Sequence, residues 1–182
     1  MKIYLKKMKK IIFTTILLFT TIIITKAQNT ELTTLRIGAF KYQMPIAEVK
    51  SLSEKPLKNG KLDYGENIKI AIYKGQEIKL SGLESYVDSV ESELKIYSLS
   101  TKSALFKTKS GLGVGSTKEQ LLDAYKNYPN FSVGQRWDSK TNKRSATETF
   151  FDLEDVDAGT HLQFIMENNV VVEVEVYMEE GC

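Results

Sequence analysis

The stretch SGLGVGSTKEQLLDAYKNY, residues Ser110–Tyr128, sets three glycines in five positions directly before a helix-like run. A phosphate-binding Walker loop that starts at Gly111 requires a second glycine where the chain has Ser116. The dinucleotide-binding fingerprint Gly-x-Gly-x-x-Gly fails at the same residue. We therefore interpret Gly111 and Gly113 as a bend between a strand and a helix, and not as a phosphate cradle.

A helix start follows the glycines. Ser116 and Glu119 have the Ser-x-x-Glu spacing of a capping box, in which side-chain oxygens accept the exposed N–H groups of the first turn. Pro129 is expected to end the helix. The predicted buried face consists of Leu121, Leu122 and Tyr125.

The first 27 residues have the layout of a secretory signal peptide. A lysine-rich start precedes an uncharged run at 11–25, and Thr25 and Ala27 supply small residues for cleavage after Ala27. The alternative is a membrane anchor, but a span needs about 18 or more apolar residues. We expect cleavage, a flexible leader at 28–34, and a soluble mature protein in the periplasm or outside the cell of a two-membrane bacterium.

Charge and cysteine content narrow the function classes. Residues 1–27 hold six of the 25 basic residues and no acidic one, so the mature chain keeps 19 basic against 23 acidic residues, a net charge of −4. A mildly acidic domain has no field that gathers nucleic acid, which we exclude as a partner. Cys182 is the only cysteine and cannot close an internal disulfide.

Strand patterns dominate the mature chain and predict an α+β fold. Ile68–Tyr73 alternates isoleucines with charged or small residues, which predicts a strand with one wet face, and Val90–Tyr97 alternates in the same way. Leu35–Tyr42 reads as a short strand interrupted by Gly38, and Met44–Leu52 as a short helix with Pro45 at its first position. The clearest hairpin runs from Leu162 to Met178 around Asn168 and Asn169. Its outward face carries Glu173, Glu175 and Tyr177.

The chain divides into two similar halves, 35–109 and 110–182. The segment 40–52 aligns with 112–124 at an offset of 72, and ELKIY at 93–97 aligns with EVEVY at 173–177 at an offset of 80. Each half reads as a strand or bend, a short helical segment, and then antiparallel strands. This order of elements predicts a tandem duplication.

Residues 94–125 resemble a pattern of exported bacterial proteins, in which a strand leads to Thr-x-x-Gly-Φ-x-Val-Gly-Ser/Thr and a short helix ending in Tyr. The match is carried by Thr108, Gly111, Val114, Gly115, Ser116 and Tyr125. The chain is thereby similar to the tandem-repeat fold of β-lactamase inhibitory protein and, for one repeat, to small lipoproteins of outer-membrane assembly. In the first half, Gln43 and Met44 replace the Gly-Ser pair. The resemblance implies a fold and a tendency to bind proteins or envelope components.

Residues capable of acid–base or metal chemistry are few. His161, the only histidine, is interpreted as a residue at the edge of the sheet and not as a base. Asp152, Asp155 and Asp157, followed by Gly159, are similar to a calcium loop, but Val156 replaces an oxygen ligand and the closing glutamate is missing. We interpret this acidic segment as a solvated turn and predict neither a cofactor nor a bound metal.

A basic and aromatic group surrounds the predicted turn after residues 131–137. It consists of Arg136, Trp137, Lys140, Lys143 and Arg144, which we call the hairpin patch. Trp and Arg are enriched in binding hot spots. Phe131 and Val133 are expected to be buried, with Trp137 on the same side by period two. The alternative is that Trp137 belongs to the core and the lysines only solvate a turn.

Two functions compete at this point. The first is an exported, non-catalytic binding module that recognises a protein or a cell-envelope component through its sheet face. The second is a metal-dependent or carboxylate-based hydrolase that uses the acidic segment 152–157. The chain has no serine or cysteine in a recognisable nucleophile motif, and we expect the binding module.

Overall fold

A computed structural model describes residues 30–61, 67–81, 94–138 and 141–178. The predicted signal peptide, Lys140 and Cys182 lie outside these residues. The fold is α+β, with two short helices and antiparallel strands in two sheets. Strand residues far outnumber helical ones, as predicted.

The smaller sheet contains three two-residue strands near the beginning of the described chain. They are β1 (Leu32–Thr33), β2 (Arg36–Ile37) and β3 (Phe40–Lys41). The predicted strand at 35–42, interrupted by Gly38, forms two short strands on either side of that glycine. Gly38 adopts a positive φ of 60° and reverses the chain between β2 and β3.

The larger sheet has eight strands in the order β4-β5-β6-β7-β11-β10-β9-β8, and every pair of neighbours is antiparallel. Its first four strands are β4 (Lys58–Lys61), β5 (Asn67–Tyr73), β6 (Gln76–Ser81) and β7 (Ser98–Thr101). Its last four are β8 (Phe131–Asp138), β9 (Lys143–Asp155), β10 (Thr160–Glu167) and β11 (Val170–Met178). The two groups of four meet where β7 pairs with β11.

Two strand predictions need correction. Residues 94–97 lie outside the named strands, 90–93 lie outside the described residues, and β7 begins only at Ser98. Strand β5 is placed as predicted, but the side opposite its isoleucines is not simply exposed to water. Ala71 is fully buried in the main core, and Ile68 is buried on the opposite face.

Helix α1 (Ile46–Leu52) buries Ile46 and Val49, and Pro45 is its N-cap and not its first helical residue. Helix α2 (Lys118–Tyr125) begins with a capping box one residue later than predicted. Thr117 accepts the Gln120 backbone N–H, and the Gln120 side chain accepts that of Thr117. Of the predicted face of α2, Leu121 is buried and Tyr125 half-buried, but Leu122 is exposed.

The glycine stretch forms a bend before α2, as interpreted from the sequence. Gly111 and Gly115 have positive φ angles of 78° and 90°. Gly113 is needed for space, because a Cβ atom there would lie 2.5 Å from the backbone oxygen of Phe106. The Ser116 hydroxyl accepts the Gly113 N–H at 3.1 Å, so it holds the bend together and does not cap the helix.

The main core lies between the larger sheet and the two helices. One row of directly paired residues crosses six strands on this side and is apolar throughout: Leu80, Leu99, Val176, Leu162, Leu153 and Phe131. Tyr125 of α2 packs its ring near Phe151 and Phe164. The helices therefore cover one face of the sheet, and we call the other one the open face.

Candidate functional site

The open face carries a row of polar side chains beside the apolar row of the core. Directly paired residues on six neighbouring strands form it: Lys79, Ser100, Glu175, Gln163, Asp152 and Ser132. Because successive residues of a strand point to opposite faces, a shift of one residue converts the apolar row into the polar row. The sequence thus builds a dry face for the helices and a polar face opposite to it.

A buried polar cluster lies on the open face at strands β9, β10 and β11. Its central contact joins Asp152 Oδ2 and His161 Nδ1 at 2.7 Å, and these residues are 6% and 7% exposed. The His161 ring stacks on Tyr177, with 5.0 Å between ring centroids and 16° between planes. The Tyr177 hydroxyl donates to Asp152 Oδ1 at 3.4 Å and accepts from Gln163 Nε2 at 3.3 Å.

The interpretation of His161 as a residue at the sheet edge is wrong. It lies near the start of strand β10, next to its first residue Thr160, as expected from the sequence, but β10 lies between β9 and β11, so the His161 side chain is buried. The register pairs Asp152 with Gln163, two residues from His161, and brings the carboxylate beside the imidazole. The alternating polar positions of β9 and β10 are the sequence signal for this cluster, but their alignment depends on the register.

An open cleft of about 420 Å³ borders this cluster. Its lining combines carboxylates, hydrogen-bonding groups and aromatic rings: Pro129, Asn130, Phe131, Ser132, Phe150, Asp152, Glu154, His161, Gln163 and Tyr177. Such a surface offers hydrogen bonds and ring faces to a partner or ligand.

The order of side chains around the cluster does not match a serine triad. A triad places the histidine between the carboxylate and the serine hydroxyl. Here Ser132 of β8 pairs with Asp152 of β9, and His161 lies on the far side, on β10. The carboxylate therefore stands between the serine and the imidazole.

Two glutamates of β11 form the centre of the open face. Glu173 accepts from Ser100 Oγ at 2.8 Å and lies 3.2 Å from Lys79 Nζ. Glu175 accepts from Ser98 Oγ at 2.7 Å. Burial raises the pKa of Glu175, although the Ser98 hydrogen bond and the Arg136 cation oppose the increase.

The structure brings together the described members of the hairpin patch at the turn between β8 and β9. Trp137 pairs directly with Arg144, and Asp138 pairs with Lys143. Arg144 Nη1 donates to the Gln135 backbone oxygen at 2.8 Å. Trp137 is 56% exposed, so the alternative in which it belongs to the core is wrong.

The other side chains on the Trp137 side of β8 are also exposed. Phe131 and Val133 were expected to be buried, but they are 39% and 38% exposed. The reason is that β8 is the last strand of the sheet and has a neighbour on one side only. Phe131 still stacks on Phe151, at 5.4 Å between ring centroids.

The acidic segment 152–157 is not one cluster. Asp152 is buried on the open face, while Asp155, an odd number of residues later, lies on the other side of β9. Asp155 accepts from the Ala158 N–H and from Thr34 Oγ1, and Asp157 is exposed in the turn. Within the described residues, no three His, Cys, Asp or Glu side chains are placed to hold a metal ion.

Comparison of the chain with family models, with curated proteins and with solved structures gave no match. None of the helices in the described part of the chain is long and apolar enough to cross a membrane.

Proposed function

We propose that this chain is an exported, non-catalytic binding module that recognises a protein or a cell-envelope component through the open face of its larger sheet. The observation that carries the proposal is the division of the sheet into two faces. The helices pack on the apolar row, while the opposite face presents a polar row and a cleft, and the hairpin patch lies beside them at the β8 edge of the sheet. Protein-binding surfaces combine aromatic anchors with a polar surround in this way.

The hairpin patch is proposed as part of the contact surface, with Trp137 as its anchor. An exposed Trp flanked by the cations of Arg136, Lys143 and Arg144 has the composition of a binding hot spot. Lys140, which lies outside the described residues, belongs to the same patch by sequence. The patch gathers cations in a mature chain whose net charge is acidic, as counted from the sequence.

The hydrolase alternative lacks support from the geometry. Asp152 and Asp155 lie on opposite sides of β9, and Ser132 is separated from His161 by the carboxylate. A calcium-dependent enzyme at residues 152–157 predicts a fall of several degrees in melting temperature on chelation. We expect no shift, and a clear shift would favour the hydrolase.

The test is capture of a partner from envelope extract by the purified protein. Ser132→Arg places a bulky cation at the cleft, and Ser110→Arg makes the same change at an exposed site in the glycine bend. We expect the first variant to lose the partner and the second to retain it, with both folded. If Ser132→Arg captures the partner as well as Ser110→Arg does, the open face is not the binding surface.

A second comparison tests the anchor. Trp137→Ala is expected to weaken binding by about 2 kcal/mol, roughly 30-fold in Kd. Val156→Ala, at an apolar residue as exposed as Trp137, is expected to leave binding unchanged. A loss of melting temperature near 10 °C in Trp137→Ala, with undiminished capture, contradicts a role for Trp137 in binding.

Export and duplication belong to the same proposal. The layout of residues 1–27 supports cleavage by signal peptidase, so N-terminal sequencing of the secreted or periplasmic protein is expected to begin at Gln28. Full-length chain in the inner membrane contradicts it. The sheet order supports two similar halves at 35–109 and 110–182, because each contains one helix and contributes four consecutive strands to the larger sheet.

A further inference from the structure

The two edges of the larger sheet differ sharply. At one edge, β4 is four residues long and reads Lys-Asn-Gly-Lys, a short charged strand of the kind that prevents further pairing. At the other edge, β8 is eight residues long, and its Phe131, Val133 and Trp137 are exposed. A long apolar edge strand is a template for another strand.

The backbone of β8 also presents hydrogen-bonding groups outward. The Glu154 N–H donates to the Asn130 carbonyl at 3.0 Å, so residue 130 directs its backbone groups toward β9. In an antiparallel pair these directions alternate. The backbone groups of Phe131 and Val133 therefore point away from β9, toward the open edge.

Charge distinguishes the two ends of this edge. Arg136, Lys143 and Arg144 lie near its C-terminal end, at the hairpin turn. Glu154 and Asp155 lie near its N-terminal end, where β9 passes Asn130 and Phe131. A second copy of β8 in the antiparallel direction places the basic end of each molecule near the acidic end of the other, and a parallel arrangement places like charges together.

We propose that two copies of this chain pair through antiparallel β8 strands centred on Gly134. This inference rests on the proposed contact role of the hairpin patch and identifies a second copy as its partner. With Gly134 opposite itself, Phe131 of each molecule faces Trp137 of the other, and the dimer gains two aromatic cross-strand pairs. Because paired residues then belong to the same face, the helices of both copies lie on one side of a continuous sheet.

The first test measures the oligomeric state of the purified protein by sedimentation equilibrium. We expect a reversible dimer, which Val133→Lys converts to a monomer because the two added cations become diagonal neighbours on one face, close to the two-fold axis. Val170→Lys makes the same change at an apolar residue of matched exposure, 40% against 38%, on β11, and is expected to remain dimeric. A protein that stays monomeric at the highest concentration, or a Val133→Lys variant that dimerises as the wild type does, overturns the proposal.

A cross-linking test fixes the register and does not depend on the charged variant. In a Cys182→Ser background, the double variant Val133→Cys with Gln135→Cys places cysteines directly opposite each other when the strands are centred on Gly134. We expect inter-chain disulfides, because directly paired residues of this kind have Cα atoms about 5.5 Å apart, within the range that a disulfide spans. Phe131→Cys with Gln135→Cys requires a centre at Val133 and is expected to remain unlinked.

Preferential linking of the Phe131→Cys and Gln135→Cys pair contradicts the proposed register.

Partner capture distinguishes the proposed dimer from the proposed binding function. A monomer that still binds an envelope partner through the open face refutes only the dimer, whereas a dimer that captures nothing refutes only the proposed function.

Discussion

The buried contact between Asp152 and His161 is the feature that best separates a structural polar cluster from a catalytic one. Both side chains are more than nine-tenths buried, and the contact joins β9 to β10. In a binding module the contact stabilises the sheet, so its loss must weaken the fold. In an active site such groups are commonly retained at a cost to stability, and their replacement often leaves the fold unharmed.

We expect Asp152→Val and His161→Phe each to lower the free energy of unfolding by about 3 kcal/mol, because breaking a buried polar pair leaves one partner without that hydrogen bond. Valine suits a strand, and phenylalanine can keep the ring contact with Tyr177. In a domain of this size about 3 kcal/mol corresponds to about 6–12 °C in melting temperature. The double variant removes both polar groups and is expected to lose less than the sum of the single losses.

Urea titrations of the wild type, the two single variants and the double variant at neutral pH measure the free energies of unfolding. Equal m-values confirm that the same amount of surface is exposed on unfolding in each protein. The coupling energy of the double-mutant cycle isolates the contact from the separate effects of the two side chains. Single variants within about 0.5 kcal/mol of wild type, or losses that simply add, refute the structural role assigned to the pair.

Two further predictions concern the open face and the glycine bend. Burial raises the pKa of Glu175 in the folded state. Its contribution to the free energy of unfolding is therefore fully present at acidic pH, below the unfolded-state pKa, and is lost as pH rises through the folded-state pKa. Glu175→Gln should therefore melt higher than wild type at neutral pH, and a pH series should show the difference vanish under acid conditions. In the bend, Gly113→Ala is expected to cost about 1–3 kcal/mol because the methyl group meets the Phe106 oxygen. Gly111→Asn should cost less than Gly111→Ala in thermal melts, since a positive φ is the constraint there and Asn tolerates it.

Local features were predictable from the sequence where a few adjacent residues decide them. Asn168 and Asn169 adopt φ angles of 50° and 64°, the positive values that a tight hairpin requires, and the turn lies where the sequence predicted it. The bend at Gly111 was found for the same reason. In both cases the conformation depends on backbone sterics that the residue type itself specifies.

Choices between adjacent candidates were less predictable, because they depend on contacts from distant parts of the chain. Ser116 and Thr117 are both good capping residues. The hydroxyl of Ser116 is used by the Gly113 N–H, and Thr117 caps α2 instead. The Asp152–His161 contact is similar, since no local pattern states that β9 and β10 pair in the register that joins them.

The exposure of β8 was also unpredictable from the sequence, because it depends on where the strand lies in the sheet. This exposure indicates where we propose that a partner binds. Period two assigns Phe131, Val133 and Trp137 to one side of the strand, but the position of a strand within the sheet decides whether that side is covered. Because β8 is the last strand, three apolar side chains remain partly in water beside a cleft and a basic turn. Leaving these groups exposed is unfavourable for a monomer on its own. Binding removes that cost, and for this reason the β8 end of the sheet, and not the acidic turn, is where a partner is expected.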